Sequence, residues 1–484
     1  MNLLILFILP LLMAAVIFVT GKKCPAAARW MLPGTAAVHF ALTLWTLYQD
    51  PAAELNWHGN IWLKLDPAGC VILFITSLLF LAVAFQTVFW LPAEYEAAAV
   101  RHGGDPRSHF LPEHIFLACI PAFAGTMTLV ITSWNLGLLW VAVEATTLCS
   151  APLILFHRSS QALEAMWKYL LICSVGIAFA LFGTMLLGAT VRTAEGAPGL
   201  WYEQLLNTSR AAFDPAWFKA AWIFILAGYG TKMGLVPFHA WLPDAHSEAP
   251  GTVSAMLSGS LLNCSLLGII RFYNLAPEGL LPFCKVLLAG LGLISLLVAA
   301  LFIIRQGDFK RMLAYSSVEH MGIAALLLVF CGDKVMLPHL LGHSLIKMAL
   351  FLTAGNILLA YGSRSIAGIG GMLGSLRQNA VVWIGGILLI CGAPPSPLFV
   401  TEYTLIASAP AWIGITVAVL LFAIFAGMTM AALRMSMGAE GSLQCPAAQA
   451  ECAEKLSIIP AVMCLAATLL GICFLWAVNL RWSL

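Results

Sequence analysis

About fourteen apolar runs of bilayer-spanning length follow one another along this chain. They lie near 2–20, 30–48, 67–91, 113–132, 134–156, 162–191, 216–236, 251–273, 281–304, 312–331, 335–360, 379–406, 411–435 and 457–478. A helix of about 20 apolar residues matches the hydrocarbon thickness of a membrane. Inside lipid, a continuous run of this kind satisfies its backbone polar groups only as a helix. Composition agrees: hydrophobic residues are 61% of the 484 and charged residues 10%, whereas a soluble chain carries about 25% charge. The fold class expected is an all-α polytopic membrane protein, one membrane domain over 1–484. The longest water-exposed segments, near 92–112, 192–215 and 436–456, are too short to build cores of their own. The opening MNLLILFILPLLMAAVIFVTGKK has no basic residue ahead of its apolar stretch, so it reads as the first retained span.

The net charge of +2 and the lack of a basic, aromatic-interleaved stripe argue against nucleic acid as a partner. Most of the 13 cysteines sit inside apolar runs and no CxxC occurs, so they read as small packing residues. The loop pair Cys445 and Cys452 makes no metal or disulfide signature. GIGGMLG, at 368–374, has the wrong spacing and no preceding soluble strand for a nucleotide loop. The chain is therefore expected to bind no cofactor or metal. Loop cations set the orientation. Alternate loops hold Lys22, Lys23, Arg101, Arg107, Arg158, Arg305, Lys310, Arg311 and Arg364 on one side, against Lys64, Arg192, Arg210, Arg271, Lys285 and Lys334 on the other. Over all loops the bias is roughly 13 to 8. It puts the first set inside and both termini on the outer side of a bacterial plasma membrane.

An ionisable side chain at a span's centre costs about 2.5–3.5 kcal/mol on insertion scales. Most of the runs carry none, so the exceptions are informative. Glu144 lies mid-run in LLWVAVEATTLCSAPLI, and Lys232 in GYGTKMGLVPFHAWLPDAHSEAP, which also holds His239 and His246. His339, His343 and Lys347 fall at i, i+4 and i+8 in HLLGHSLIKMALFLTAGN, on one helical face. His320 stands beside Glu319 in YSSVEHMGI, and Glu402 follows the prolines of CGAPPSPLFVTEYTL. Each has a plain structural reading: a fixed Glu144–Lys232 ion pair, a satisfied network between helices, interfacial histidines. Two of the charges, however, adjoin interruptions. Pro237 interrupts the seventh run and Pro394, Pro395 and Pro397 the twelfth. Broken helices at corresponding places in two halves point to an ion path near mid-membrane.

GYGTKMGLVPFHAWLPDAHSEAPGTVSAMLSG, DFKRMLAYSSVEHMGI, HSLIKMALFLTAGNI and VEATTLCSAPLI resemble the antiporter-like membrane subunits of complex I and its relatives, over roughly 110–435. WLPDAHSEAP, SSVEHMG and LLNCSLLGIIRF look most like the hydrogenase-4 component F type, found in membrane-bound [NiFe] hydrogenase and formate hydrogenlyase complexes. The resemblance implies about fourteen helices, two inverted five-helix repeats (110–275 and 276–435), and discontinuous seventh and twelfth helices. It implies proton translocation driven by redox chemistry in partner subunits, namely other membrane subunits and a peripheral hydrogenase arm bearing the Fe–S and NiFe sites. The family's proton-transfer residues fall on Glu144, Lys232, His339, His343, Lys347 and Glu402. One position departs: where the complex I subunits usually carry a lysine or histidine in the eighth helix, LSGSLLNCSLLG offers Asn263, which cannot carry a proton as a cation. Either His239, His246 or His320 then takes over that step, or the channel is weaker. The long lateral helix that one of the complex I subunits carries is not expected, because little follows the last run. Three other functions remain open to this sequence: an Mrp-type sodium/proton antiporter subunit, the membrane partner of an inorganic-carbon uptake system, and a non-pumping scaffold.

Overall fold

The computed structural model describes residues 2–102, 109–191, 199–209, 213–438, 441, 443 and 445–482. Arg107, Arg192 and Arg210 of the orientation argument lie outside the described residues. The chain opens with helices α1 (Asn2–Lys23) and α2 (Pro25–Gln49), then a hairpin of strands β1 (Glu54–Trp57) and β2 (Asn60–Lys64). The first half continues through α3 (Pro67–His102), α4 (Glu113–Thr132), α5 (Leu136–Ile154), α6 (Ser160–Thr190), the short α7 (Tyr202–Asn207), α8 (Pro215–Met233), α9 (Trp241–Glu248), α10 (Gly251–Met256) and α11 (Leu262–Asn274). The second half holds α12 (Leu281–Ile304), α13 (Phe309–Phe330), α14 (Asp333–Tyr361), the one-turn α15 (Met372–Ser375), α16 (Arg377–Ile390), α17 (Pro397–Ser408), α18 (Ala411–Met437), α19 (Ala447–Lys455) and α20 (Ile458–Trp482). Among the described residues, twelve helices, counting α8 through α9 and α10 through α11 as one each, are long and apolar enough to cross a membrane. This is an all-α, multi-pass membrane protein.

The molecule is built inside out relative to a soluble one. Lys232, Lys347, His339 and His343 are fully buried, while Leu12, Phe422, Met430 and Trp476 are 61–72% exposed. Lipid solvates that apolar exterior, so the hydrophobic effect does not hold the helices together; close packing and hydrogen bonds do. The α6–α8 contact shows how. A Cβ at Gly228 would fall on the backbone of Ala180, and one at Gly176 on the side chain of Thr231. Small residues thus let the helix that ends at Lys232 lie directly against α6.

Prolines alone do not break these helices. Pro10, Pro33, Pro92, Pro121, Pro152 and Pro338 all lie inside continuous helices. The two real breaks pair proline with a glycine in the left-handed region. Gly234, at φ +84°, ends α8, and its backbone N–H returns to Gly230 and Thr231. Gly392, at φ +70°, follows α16, and α17 starts at Pro397 with Ser396 as its N-cap. The seventh and twelfth runs are therefore discontinuous, as expected. A third irregularity was not foreseen: a π-helical stretch, Leu257–Leu261, joins α10 to α11.

Three sequence expectations need correction. The segment from 92 is not a water-exposed loop, because α3 runs on to His102 with Tyr95, Ala97 and Ala98 packed inward. Lys310 is not a loop cation: it is fully buried, and its ammonium binds the carbonyls of Ser247 (3.0 Å) and Ala249 at the C-terminus of α9. Cations are favoured there, where unpaired carbonyls and the helix dipole concentrate negative charge. Arg271 is also buried; its guanidinium reaches Ser133 O and Ile131 O at 2.7 Å and Asp66 at 3.1 Å. Both cations report packing, so they carry no weight in a count of loop charges.

The α6–α8 contact yields a stability prediction. Overpacking a tight contact costs about 1–3 kcal/mol. Gly228→Val should lower the melting temperature in detergent, whereas Gly290→Val, with nothing within 4 Å of its added Cβ, should leave it close to that of the parent. Equal melting of the two variants would refute the packing argument.

Candidate functional site

The helix break places a cation where the chain has no other reason to put one. Lys232 is the penultimate residue of α8, on its last turn before Gly234. Its ammonium donates to Thr147 Oγ1 and to Tyr169 OH, both at 2.7 Å, and lies 4.6 Å from the centre of the Tyr169 ring. Ser150 Oγ is spent on the carbonyl of Thr146 at 2.7 Å. The Tyr169 hydroxyl, 2.6 Å from Ser150 Oγ, therefore donates to Ser150 and accepts from the lysine. Lys232 is held by hydroxyls, with no carboxylate in contact.

Glu144 is one step further out. It is half-buried on α5, accepting from Ser174 Oγ at 2.8 Å and, at the 3.5 Å limit, from Thr147 Oγ1. Among the described residues no ion pair joins Glu144 to Lys232, so the fixed structural pair is not what the chain builds. Thr147 stands between them and can hand a proton either way. Val141 and Leu148, on the same face of α5 as Glu144, are 50% and 61% exposed, so the carboxylate opens toward the lateral surface.

The second half gathers the remaining groups. His339, His343 and Lys347 share one face of α14, and all are buried. The His320 ring, from α13, lies 5.4 Å from that of His339 and 5.1 Å from that of His343. His339 Nδ1 is 2.8 Å from Thr401 Oγ1, whose own proton goes to Leu398 O at 2.9 Å. The His339 proton is then on Nδ1, and Nε2 is left to accept. Thr401 is the neighbour of Glu402 on α17, and Glu402 turns its carboxylate onto Gly392, where a Cβ would meet it. The break in the twelfth run thus makes room for the acid. The Lys347 ammonium donates to Leu313 O of α13 at 2.7 Å.

Asn263 lies between the two groups. Its Nδ2 donates to Gly259 O at 2.8 Å and to Ser344 Oγ at 2.9 Å, and Ser344, the neighbour of His343, also donates to Gly259 O at 2.7 Å. Gly259 is in the π-helical stretch, which re-aims its carbonyl out of the helix. Ser258, from the same stretch, meets Ser317 of α13 at 2.8 Å. Cys264, next to Asn263, lies within reach of the charge on Lys232. His246 stacks on Phe351, centroids 4.8 Å apart, one turn from Lys347. His239 does not join this line: it is half-buried at the first break, and its aromatic neighbour is Tyr315 at 6.2 Å. Of the helix-break prolines, Pro237 and Pro394 are exposed, while Pro397 is buried. Among the described residues no group of His, Cys, Asp or Glu is arranged to hold a metal ion.

Along this line many buried polar atoms have no hydrogen-bond partner among the described residues: Asn263 Oδ1, His339 Nε2, Glu319 Oε2, Glu402 Oε1, and both ring nitrogens of His246, His320 and His343. Buried polar atoms in native proteins are almost always satisfied, by protein or by ordered water. Atoms of this kind are the ones that ordered water satisfies.

Residues 133–429, more than half of the chain, match the family described as NADH:quinone oxidoreductase/Mrp antiporter, TM. The chain belongs to this family. It is 35% identical over 374 residues to the hydrogenase-4 component F homolog of Methylacidiphilum infernorum (isolate V4), covering 73% of this chain and 76% of that one. It is 26% identical to hydrogenase-4 component B of Escherichia coli (strain K12), over 92% of this chain and 66% of that longer relative. The fold is that of a chain in the membrane-bound sulfane sulfur reductase, an archaeal respiratory membrane complex. That match has a TM-score of 0.83 at 19% identity, covering 99% and 96% of the two chains. A chain of the Mrp complex from Dietzia sp. DQ12-45-1b matches with a TM-score of 0.78 at 22% identity, over 98% of this chain and 51% of that one.

The structure buries Lys232, His339, His343, Lys347 and Glu402 inside the family fold, and the neutral groups that contact them were not foreseen. Thr147, Tyr169, Ser344 and Thr401 are neutral, and only Thr147, three residues after Glu144, had a spacing that flagged it. Thr147→Val removes one of two partners from a buried ammonium, a loss worth about 1.5–3 kcal/mol. Thermal unfolding in detergent should show that loss for Thr147→Val and little of it for Thr147→Ser; equal stability of Val and parent would refute the contact.

Proposed function

We propose that the chain moves protons across the plasma membrane as an antiporter-like subunit of a membrane-bound [NiFe] hydrogenase or formate hydrogenlyase-type complex. Redox chemistry in partner subunits would drive it. The observation that carries this reading is the gathering of polar groups inside the protein: Glu144, Thr147 and Lys232 in the first half, Asn263 and Ser344 between, and His343, Lys347, His320, His339, Thr401 and Glu402 in the second. The relatives named for hydrogenase-4 support the hydrogenase assignment. Partners would be other membrane subunits of the complex and a peripheral arm holding the Fe–S and NiFe sites, with no cofactor bound by this chain. The outward-opening face of Glu144 would be covered by a neighbouring membrane subunit. Residues 110–275 and 276–435 would be the two inverted repeats, with both termini on the outer side.

Burial penalises a lysine's charge and a nearby carboxylate offsets the penalty. With Glu144 ionised and linked through Thr147, Lys232 keeps its proton. When Glu144 is neutralised, as by a proton from its lateral face, the support is withdrawn and Lys232 releases its proton inward. Imidazoles can both accept and donate near neutral pH, so the His343–His320–His339 group would carry the proton on. Asn263 conducts by orienting hydrogen bonds, while His320 and His246 are the titratable groups that compensate for its neutrality. Glu402 would pass the proton out. A second reading, sodium/proton antiport, is supported by 32% identity over 307 residues to a Na(+)/H(+) antiporter protein of Alkalihalophilus pseudofirmus, although the match spans 37% of that relative.

In reconstituted complexes, Lys232→Met should abolish proton translocation while the partner's redox turnover remains measurable; unchanged pumping would overturn the reading. Glu144→Gln should uncouple in the same way, and a variant that pumps like the parent removes Glu144 from the scheme. Transport that depends on sodium and needs no redox partner would favour the second reading.

A further inference from the structure

Among the buried carboxylates of the second half, the path above uses Glu402 and leaves out Glu319. Glu319 sits in the middle of α13, 1% exposed, and its Oε2 has no hydrogen-bond partner among the described residues. By sequence alone it is a neighbour of His320 with a structural role. The structure gives it a different setting. Its charge and that of Lys347 act on each other, and it is the titratable group whose charge acts on Glu402. Cys391, at the break before α17, lies within reach of Glu319, Glu402 and Lys347 alike. Glu319 thus shares helix α13 with Leu313, whose carbonyl holds the Lys347 ammonium, and lies within electrostatic reach of both the lysine of α14 and the acid of α17.

A structural carboxylate in that position would be anchored. Other buried acids and bases here are: Asp66 holds Arg271, and Lys310 holds two carbonyls. Glu319 has no ion pair within 4 Å among the described residues, and its free oxygen lies in the same set of unpartnered atoms as His320, His339, His343 and Glu402. A carboxyl with one oxygen unpartnered among such groups is placed to gain and lose a proton. In the first half, Glu144 supports Lys232 through one intervening hydroxyl. Lys347 has no carboxylate in contact and needs an equivalent.

We propose that Glu319 is a proton-carrying residue that pairs with Lys347 as Glu144 pairs with Lys232, and relays the proton from Lys347 to Glu402. In this step the proton leaves Lys347 Nζ, through intervening water, for an oxygen of the ionised Glu319. The lysine becomes a neutral amine and the glutamate a neutral acid. Glu319 then yields the proton to an oxygen of ionised Glu402 and regains its charge, ready to support Lys347 again. The inference rests on the proton-translocating reading and supplies the step between α14 and α17 that it lacks.

The test uses the assembled complex in proteoliposomes, with proton translocation and partner redox turnover measured side by side. Glu319→Gln keeps size and polarity but cannot carry a proton, and should lose translocation while redox turnover persists. Glu319→Asp keeps the proton chemistry and should retain translocation, a rescue that a space-filling role would not give. If Glu319→Gln pumps like the parent while Lys232→Met does not, this inference falls and the proposed function stands. If both pump like the parent, the proposed function falls and takes this inference with it. If Glu319→Gln fails to assemble, or both Glu319 variants fail to pump, infrared difference spectra of parent and Glu319→Asp on a pH step decide. A protonated-carboxyl C=O band that shifts between them supports the inference, and identical carboxyl bands overturn it.

Discussion

The ammonium of Lys232, buried in a protein solvated by lipid, is the constraint on which the rest of this structure depends. An isolated cation there is costly, so the surroundings must supply donors and acceptors without diluting them with bulk water. Three features follow. The helix is capped two residues after the lysine, at Gly234, so the charge sits on the last turn of a broken helix. Thr147 and Tyr169 converge on it from two other helices. Small residues at Gly176 and Gly228 bring α6 close enough for Tyr169 to reach. Remove any of these and the charge has no home.

The second half solves a similar problem with different parts. Its break at Gly392 receives a carboxylate, its helix α14 contributes two histidines and a lysine, and α13 adds His320 between them. What joins the halves is neutral. Asn263, Ser344 and the Gly259 carbonyl freed by the π-helical stretch form a bridge with no charge of its own. π-helical irregularities inside α-helices often mark functional sites, because they release backbone groups that an α-helix would consume. Here the Gly259 carbonyl accepts from both Asn263 and Ser344 and so ties α11 to α14.

Much of this was legible in the sequence because lipid makes charge conspicuous. Glu144, Lys232, Lys347 and Glu402 stand out in the interiors of apolar runs, and the i, i+4, i+8 spacing puts His339, His343 and Lys347 on one face. Apart from α3, which runs past 91 to His102, most ends of the spanning helices came within a few residues for the same reason: hydropathy dominates where the solvent is apolar. The neutral mediators were hidden because serines and threonines are common in membrane helices, where they return their hydroxyls to the carbonyl four residues back, as Thr87 and Thr184 do. Only tertiary structure tells Thr147 and Ser344 from those. The roles of Lys310 and Arg271 were misread because a cation just outside an apolar run looks the same whether it faces water or caps a buried helix end. The prolines were ambiguous for a related reason: six stay inside helices, and it is the adjoining Gly234 and Gly392 that decide where a break occurs.

The central claim is that the buried polar groups between Glu144 and Glu402 line one hydrated passage at mid-depth in the membrane. Cryo-electron microscopy of the assembled complex, at a resolution that shows ordered solvent, tests it most directly. The account predicts water density bridging Asn263 Oδ1, His343, His320, His339 Nε2, Glu319 and Glu402 in an unbroken file. Dry packing there, with apolar side chains separating Lys347 from Glu402 and no solvent density, would contradict it.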